Sequence, residues 1–220
     1  MPDKTLLYIE DDAQRKLFYR FTPASLISNF VPLIVILDHT YSDSLHNFEY
    51  KMWNVLTPLV HLGEEQMPSC WLGEKEDCYL ADLLQKLIDE IADVYECEDH
   101  IYLYGGSAID GYGAILHGIL CKANAIYAYE PRIRLNETKD AELSSDLTKF
   151  LNPSDRFPVF YLCDDERIRG NPPEEETAYF AQSCKKNDIR VDLDFCARGD
   201  DETERLKRVL DFFERVASER

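Results

Sequence analysis

Ser107 stands among small residues, in the run Gly105-Gly-Ser-Ala-Ile-Asp-Gly-Tyr-Gly113, directly after the apolar stretch Ile101-Tyr-Leu-Tyr104. A hydroxyl at such a junction has two chemical uses. It caps the following helix by accepting a backbone N–H, or, given a proton acceptor, it attacks an electrophilic carbon; unassisted, it is a negligible nucleophile near neutral pH. Other reactive groups follow other apolar stretches in the same manner: Asp38-His39 after Leu33, Glu130-Pro-Arg132 and Arg134 after Ala125, Cys163-Asp-Asp165 after Val159, and Cys196 with Asp200, Asp201 and Glu202 after Ile189. Each has a plain reading beside the chemical one. Asp165 serves as an acid or as a turn residue, His39 as a base or as a hydrogen-bonded loop side chain, and Arg132 and Arg134 as anion binders or as ion-pair partners in an acidic chain. The carboxylates from Asp200 to Glu204 suit the first turn of a helix, where the dipole favours negative charge.

The elements that carry these groups can be read from apolar spacing. Thr5 to Glu10 and Lys16 to Phe21 alternate around the Asp11-Asp12 turn and predict a hairpin, whereas Leu33-Ile-Val-Ile-Leu37 is apolar throughout, as in a strand buried on both faces. Asn47 to Leu59 has helical spacing, Ser69 to Leu72 is a short apolar segment, and Tyr79 to Tyr95 bears one wide apolar stripe at the helical period. Strands are then expected at Ile101 to Tyr104, Ala125 to Tyr129, Val159 to Cys163 and Ile189 to Phe195. Helices are expected at Gly111 to Cys121, Glu174 to Lys186 and Glu202 to Val216. This alternation predicts an α/β chain: a mostly parallel sheet with an N-terminal antiparallel hairpin, covered by helices on both faces. In such a sheet ligands bind beyond the carboxyl ends of the strands, where every group named above falls.

The run from Ile101 to His117 resembles the nucleophile elbow of the α/β-hydrolase superfamily, in which a G-x-S-x-G turn lifts a serine above the sheet at a helix N-terminus. The stretch Ala123-Asn-Ala-Ile-Tyr-Ala-Tyr-Glu-Pro131 is similar to the strand after the elbow in hydrolase-fold proteins of bacterial surface-polysaccharide biosynthesis and accessory secretion. The resemblance implies a three-layer sandwich, with Ser107 as nucleophile, Asp165 (or Asp164) as acid, and oxyanion or ligand contacts at Gly106, Ala108 and Arg132. Two registers are open: Gly105-x-Ser107 leaves Ile109 where the second glycine belongs, and Gly106-x-Ala108 leaves no nucleophile. Chain order in the superfamily is serine, acid, histidine, yet no histidine follows His117. His39 is the candidate base, because it follows the buried strand; His46, His61, His100 and His117 fall in or near helices or at the opposite end of a strand.

Composition bounds the rest. With 42 acidic and 24 basic residues among 220, the net charge is −18, which repels nucleic-acid phosphates and anionic lipid. No apolar run approaches a membrane span, and Met1 to Glu10 lacks the features of a secretory signal. Seven cysteines without CxxC spacing read as reduced thiols of a cytoplasmic protein, with Cys163 and Cys196 the two nearest the presumed cleft. No zinc pattern and no G-x-G-x-x-G spacing occur, so neither metal nor cofactor is expected. The expectation is one hydrolase-like domain over residues 1–220: a serine-dependent acyl hydrolase or acyltransferase on a small ester or acylated carbohydrate. The alternative is a hydrolase-fold protein that has lost catalysis and serves binding or assembly with a protein partner.

Overall fold

Leu33-Ile-Val-Ile-Leu37 forms β3, and its residues divide between two cores. Leu33, Val35 and Leu37 enter one apolar cluster and Ile34 and Ile36 the other, all fully buried. A strand covered on both sides has no polar face to alternate with, hence the unbroken apolar run. The computed structural model describes residues 6–25, 31–38, 52–59, 71–72, 78–135, 146–152, 156–165, 172–196 and 202–219. Its strands are β1 (Leu7–Glu10), β2 (Lys16–Thr22), β3 (Leu33–Leu37), β4 (Asn54–Leu59), β5 (Ile101–Gly105), β6 (Ala125–Tyr129), β7 (Val159–Asp165) and β8 (Val191–Cys196). They form one sheet in the order β1-β2-β4-β3-β5-β6-β7-β8. β1 and β2, and β2 and β4, run antiparallel; every other neighbouring pair is parallel.

Among the described residues four α-helices cover this sheet: α1 (Tyr79–Val94), α2 (Ala108–Leu120), α3 (Pro172–Lys186) and α4 (Glu202–Ser218). The first three pack on one face, where Leu84, Ile88, Ile115, Leu116, Phe180 and Cys184 meet Leu103, Ile126, Phe160 and Leu162. On the other face α4 lays Leu206, Val209, Leu210, Phe213 and Val216 against Ile36, Tyr102, Tyr104 and Tyr127. The three-layer α/β architecture expected from the sequence is therefore present. Two buried asparagines secure strand starts at the amino edge. The Asn124 amide accepts from the Ile101 N–H and donates to the Asp99 carbonyl, while Asn54 accepts from the Ala24 N–H and donates to the Val31 carbonyl.

One element departs from its expected type. Where helical spacing ran from Asn47 to Leu59, residues 54–59 are strand β4, between β2 and β3, and buried at every position. Full burial removes the two-residue alternation that marks a strand, so periodicity misread it. Pro58 survives there because β3 pairs only Asn54 to Leu56, and Pro58 faces Tyr19 of the antiparallel neighbour. The expectation of seven reduced thiols also fails: Cys163 is disulfide-bonded, whereas Cys78, Cys97, Cys121 and Cys184 are free. Among the described residues no helix is long and apolar enough to cross a membrane.

His117 is fully buried in α2. Its Nδ1 lies 2.8 Å from the Gln85 amide nitrogen and its Nε2 3.1 Å from the Trp71 carbonyl. A carbonyl only accepts, so the proton sits on Nε2 and Nδ1 accepts from Gln85. Burial lowers the imidazole pKa from 6.5 to about 4, against the opposing pull of the Trp71 carbonyl. Above pH 6.5 both folded and unfolded chains hold this ring neutral, so its contribution is intact; below that the unfolded chain takes the proton first and stability falls until about pH 4. The loss expected from this group is about 3 kcal/mol. Denaturant unfolding measured from pH 7 to pH 4 should show that decline, and His117→Gln, which cannot titrate, should flatten it.

Candidate functional site at the carboxyl edge of β5

β5 runs into α2 through Gly106 and Ser107 alone. A Cβ on Gly105 would lie 2.4 Å from the Asp110 carbonyl oxygen and 2.6 Å from the Gly111 Cα, so the turn closes only with glycine there. Gly111 is equally constrained, since its Cβ would meet Pro131 at 2.8 Å. A Cβ on Gly106 would meet only the end of the Tyr104 side chain, at 3.2 Å. The close backbone contact thus falls on Gly105, two residues before Ser107, and its counterpart is Gly111, four residues after. Ile109, half-buried, takes no part in it.

Ser107 is the N-cap of α2. Its backbone is extended, at φ −150° and ψ 177°, and so lacks the left-handed strain of a sharp elbow. Its hydroxyl oxygen accepts from the Asp110 N–H at 3.5 Å, and its proton is donated to Asp110 Oδ2 at 2.7 Å. Asp110 is wholly buried, and its Oδ1 accepts from the Trp71 indole N–H at 2.9 Å. Trp71 is itself buried at a left-handed φ of 63°, unusual for a bulky side chain. Its ring lies so near Gly113 that a Cβ there would come within 2.4 Å. A serine hydroxyl half-open to solvent is thereby held by a buried carboxylate that an indole anchors. The amides of Ala108 and Ile109 open α2 and have no helical carbonyl behind them, the arrangement that receives a developing oxyanion.

The other expected residues gather at the same edge to differing degrees. Gly106 donates its N–H to the Leu37 carbonyl, tying the turn to β3, and the exposed Arg132 donates its backbone N–H to the Ala108 carbonyl at 3.0 Å. Asp165 ends β7 opposite Cys196 of β8, separated from β5 by β6 and so roughly 10 Å away across the sheet. The alternative acid, Asp164, is buried and accepts from the Thr177 hydroxyl of α3 at 3.2 Å. Arg134 packs its guanidinium over the Tyr179 ring. His39 lies outside the described residues, as do His46, His61, Asp200 and Asp201. His100 is at the amino edge, where its carbonyl accepts from Leu33. His117 is about 15 Å along α2 from Ser107.

Three residues at this edge were not singled out by sequence reasoning: Asp110, Trp71 and Arg205. Asp110 had a signal, because Ser107-x-x-Asp110 is the spacing of a capping box. Here the acid accepts from the cap hydroxyl. Arg205, from α4, donates through Nη1 to the Gly106 carbonyl at 3.4 Å and stacks on Tyr129, with Cζ 4.5 Å from the ring centroid. Nothing local in the sequence marks either contact.

No protein-family model matches the sequence, and no curated protein does. Solved structures do match the fold. S-formylglutathione hydrolase from Agrobacterium tumefaciens superposes with a TM-score of 0.71 at 14% identity, over 97% of this chain and 94% of that one. The capsule O-acetyltransferase of Neisseria meningitidis serogroup A gives 0.67 at 13% identity, over 96% and 94%. The chain has the α/β-hydrolase fold. Dipeptidyl peptidase 4 of Porphyromonas gingivalis carries that fold within a longer protein: the TM-score is 0.69 at 13% identity over 96% of this chain, which spans 35% of the peptidase. In the hydrolase fold found here, β5 is the strand that leads into the Ser107 turn and β7 the one that ends on Asp165.

Trp71→Phe keeps an aromatic ring and deletes the indole donor, leaving Asp110 Oδ1 without it in a buried setting. The expected loss is about 1–3 kcal/mol, read from urea unfolding against the parent chain. An unchanged midpoint would show that the indole does not anchor the carboxylate.

Proposed function

We propose that this chain is a serine-dependent acyl hydrolase or acyltransferase of the esterase kind, acting on a small ester or an acylated carbohydrate. The observation that carries the reading is the Ser107 hydroxyl at the carboxyl edge of β5, donating at 2.7 Å to the buried Asp110 carboxylate. In the proposed step the serine oxygen bonds to the ester carbonyl carbon as its proton passes to a base. The carbonyl oxygen takes up negative charge facing the amides of Ala108 and Ile109. The intermediate then expels the alcohol, which takes back the proton, and leaves an acyl-serine for water or a sugar hydroxyl to cleave.

Asp110 Oδ2 is the proton acceptor already in place. His39 and Asp165 are proposed as the base and acid of a full triad, His39 from its position after β3 and Asp165 from its position at the end of β7. Gly106 and Arg132 border the same turn. The hydrolase and O-acetyltransferase among the structural neighbours support acyl transfer as the reaction class, and the acetyltransferase's capsule substrate supports a role in surface-polysaccharide assembly. Cytoplasmic action belongs to the same proposal, and the disulfide at Cys163 weighs against it, since disulfides persist in oxidising compartments. The strongly acidic surface makes nucleic acid an unfavourable partner.

A second reading is favoured by one observation: the unstrained cap geometry of Ser107, which suits a helix terminus as well as it suits chemistry. On that reading the chain binds or assembles without catalysis.

Fluorophosphonate labelling separates the two. The enzyme reading expects covalent modification of the parent chain and none of Ser107→Ala; a folded parent chain that stays unmodified removes it. The base is then found by substitution. Loss of about 100-fold or more in labelling rate on His39→Ala identifies the triad, and the same loss on Asp110→Asn with His39→Ala unaffected identifies the serine–carboxylate pair.

A further inference from the structure

Arg205 is a cation in an unusual place. It stands in the first turn of α4, where the helix dipole disfavours positive charge, and its side chain reaches the carboxyl ends of β5 and β6. There the guanidinium stacks on Tyr129, the last residue of β6, and one Nη1 donor touches the Gly106 carbonyl at 3.4 Å, beside Ser107. Stacking fixes the guanidinium plane while its edge, which bears five N–H donors in all, remains for other partners. The chain has 42 acidic residues, and two of its arginines are paired with them, Arg15 with Asp11 and Arg190 with Glu219. Among the described residues no carboxylate pairs with Arg205. A half-buried guanidinium held by a ring, one residue from the candidate nucleophile and without a carboxylate partner among the described residues, is arranged to receive an anion from outside the chain.

We propose that Arg205 is the specificity-determining residue of the Ser107 site and that the substrate is an ester carrying a carboxylate, which the guanidinium fork binds while Ser107 attacks the ester carbonyl. The inference rests on the acyl-transfer reading and deepens it by naming the substrate class. The carboxylate lies either on the acyl part, as in a half-ester of a dicarboxylic acid, or on the alcohol part, as in an acylated acidic sugar. Arg205 makes no bond in the reaction. It binds and orients, so its removal falls on charged substrates alone.

The test compares matched esters. On the acyl side, mono-4-nitrophenyl glutarate is set against 4-nitrophenyl valerate; on the alcohol side, 4-acetoxybenzoate against phenyl acetate. The parent chain should favour the charged member of at least one pair, and the pair that responds identifies the source of the carboxylate. Arg205→Gln should lower kcat/KM for that ester by about 10- to 100-fold and change its neutral partner less than about threefold, with Arg205→Lys recovering part of the loss. Equal loss on both members would make Arg205 a structural residue and overturn the proposal, as would a parent chain indifferent to charge. A binding arm is independent of turnover: glutarate should raise the melting temperature of Ser107→Ala and not that of the Ser107→Ala, Arg205→Gln double variant. If no ester turns over but glutarate still stabilises through Arg205, acyl transfer fails and anion recognition stands. If esters turn over but glutarate stabilises both variants alike or neither, the reverse holds.

Discussion

A carboxylate with no exposure to water has to be bonded at both oxygens, and Asp110 at the head of α2 imposes that demand on everything near it. One oxygen takes the Ser107 hydroxyl and the other the Trp71 indole. The first bond orients the candidate nucleophile; the second brings the segment bearing Trp71 across α2, where its carbonyl also receives the His117 ring. The position of Asp110 in the first turn adds the favourable field of the helix N-terminus. Removing either partner takes a donor from a buried carboxyl group, so the serine, the indole and the helix start are coupled.

The glycines make this closure possible. Gly105 lets β5 pass within contact of the backbone at Asp110 and Gly111, and Gly111 lets α2 settle on Pro131. The serine therefore stands as a helix cap in extended backbone. The same compactness brings Tyr129 and Gly106 close enough together for one arginine from α4 to touch both. Because α4 reaches the site from the opposite face of the sheet to α2, both helical layers contribute side chains to one edge.

Most of the architecture could be read from residue spacing because its signals are strong and local. The unbroken apolar run of β3, the wide stripe of α1 and the glycine-rich passage from β5 to α2 each gave the right element at nearly the right place. β4 escaped because a strand buried on both faces loses its alternation. At the site, Ser107 and Gly106 were legible from the turn, and Asp110 was available from capping-box spacing. Trp71 and Arg205 were not, being 36 and 98 positions from Ser107 and placed by tertiary packing alone. The disulfide at Cys163 was hidden for a similar reason, since an odd cysteine count without paired spacing carries no pairing information.

The chain contains only two tryptophans, and the sheet separates them. Trp71 lies in the layer of α1 and α2, bonded to a carboxylate, whereas Trp53 lies in the layer of α4, edge-on to Tyr102 at 5.0 Å between ring centroids. Each indole is thus a resident optical reporter for one side of the molecule. With either one replaced, the emission of the other follows the loosening of its own layer, and comparison of the two traces tells whether the halves of this sandwich melt together or in turn.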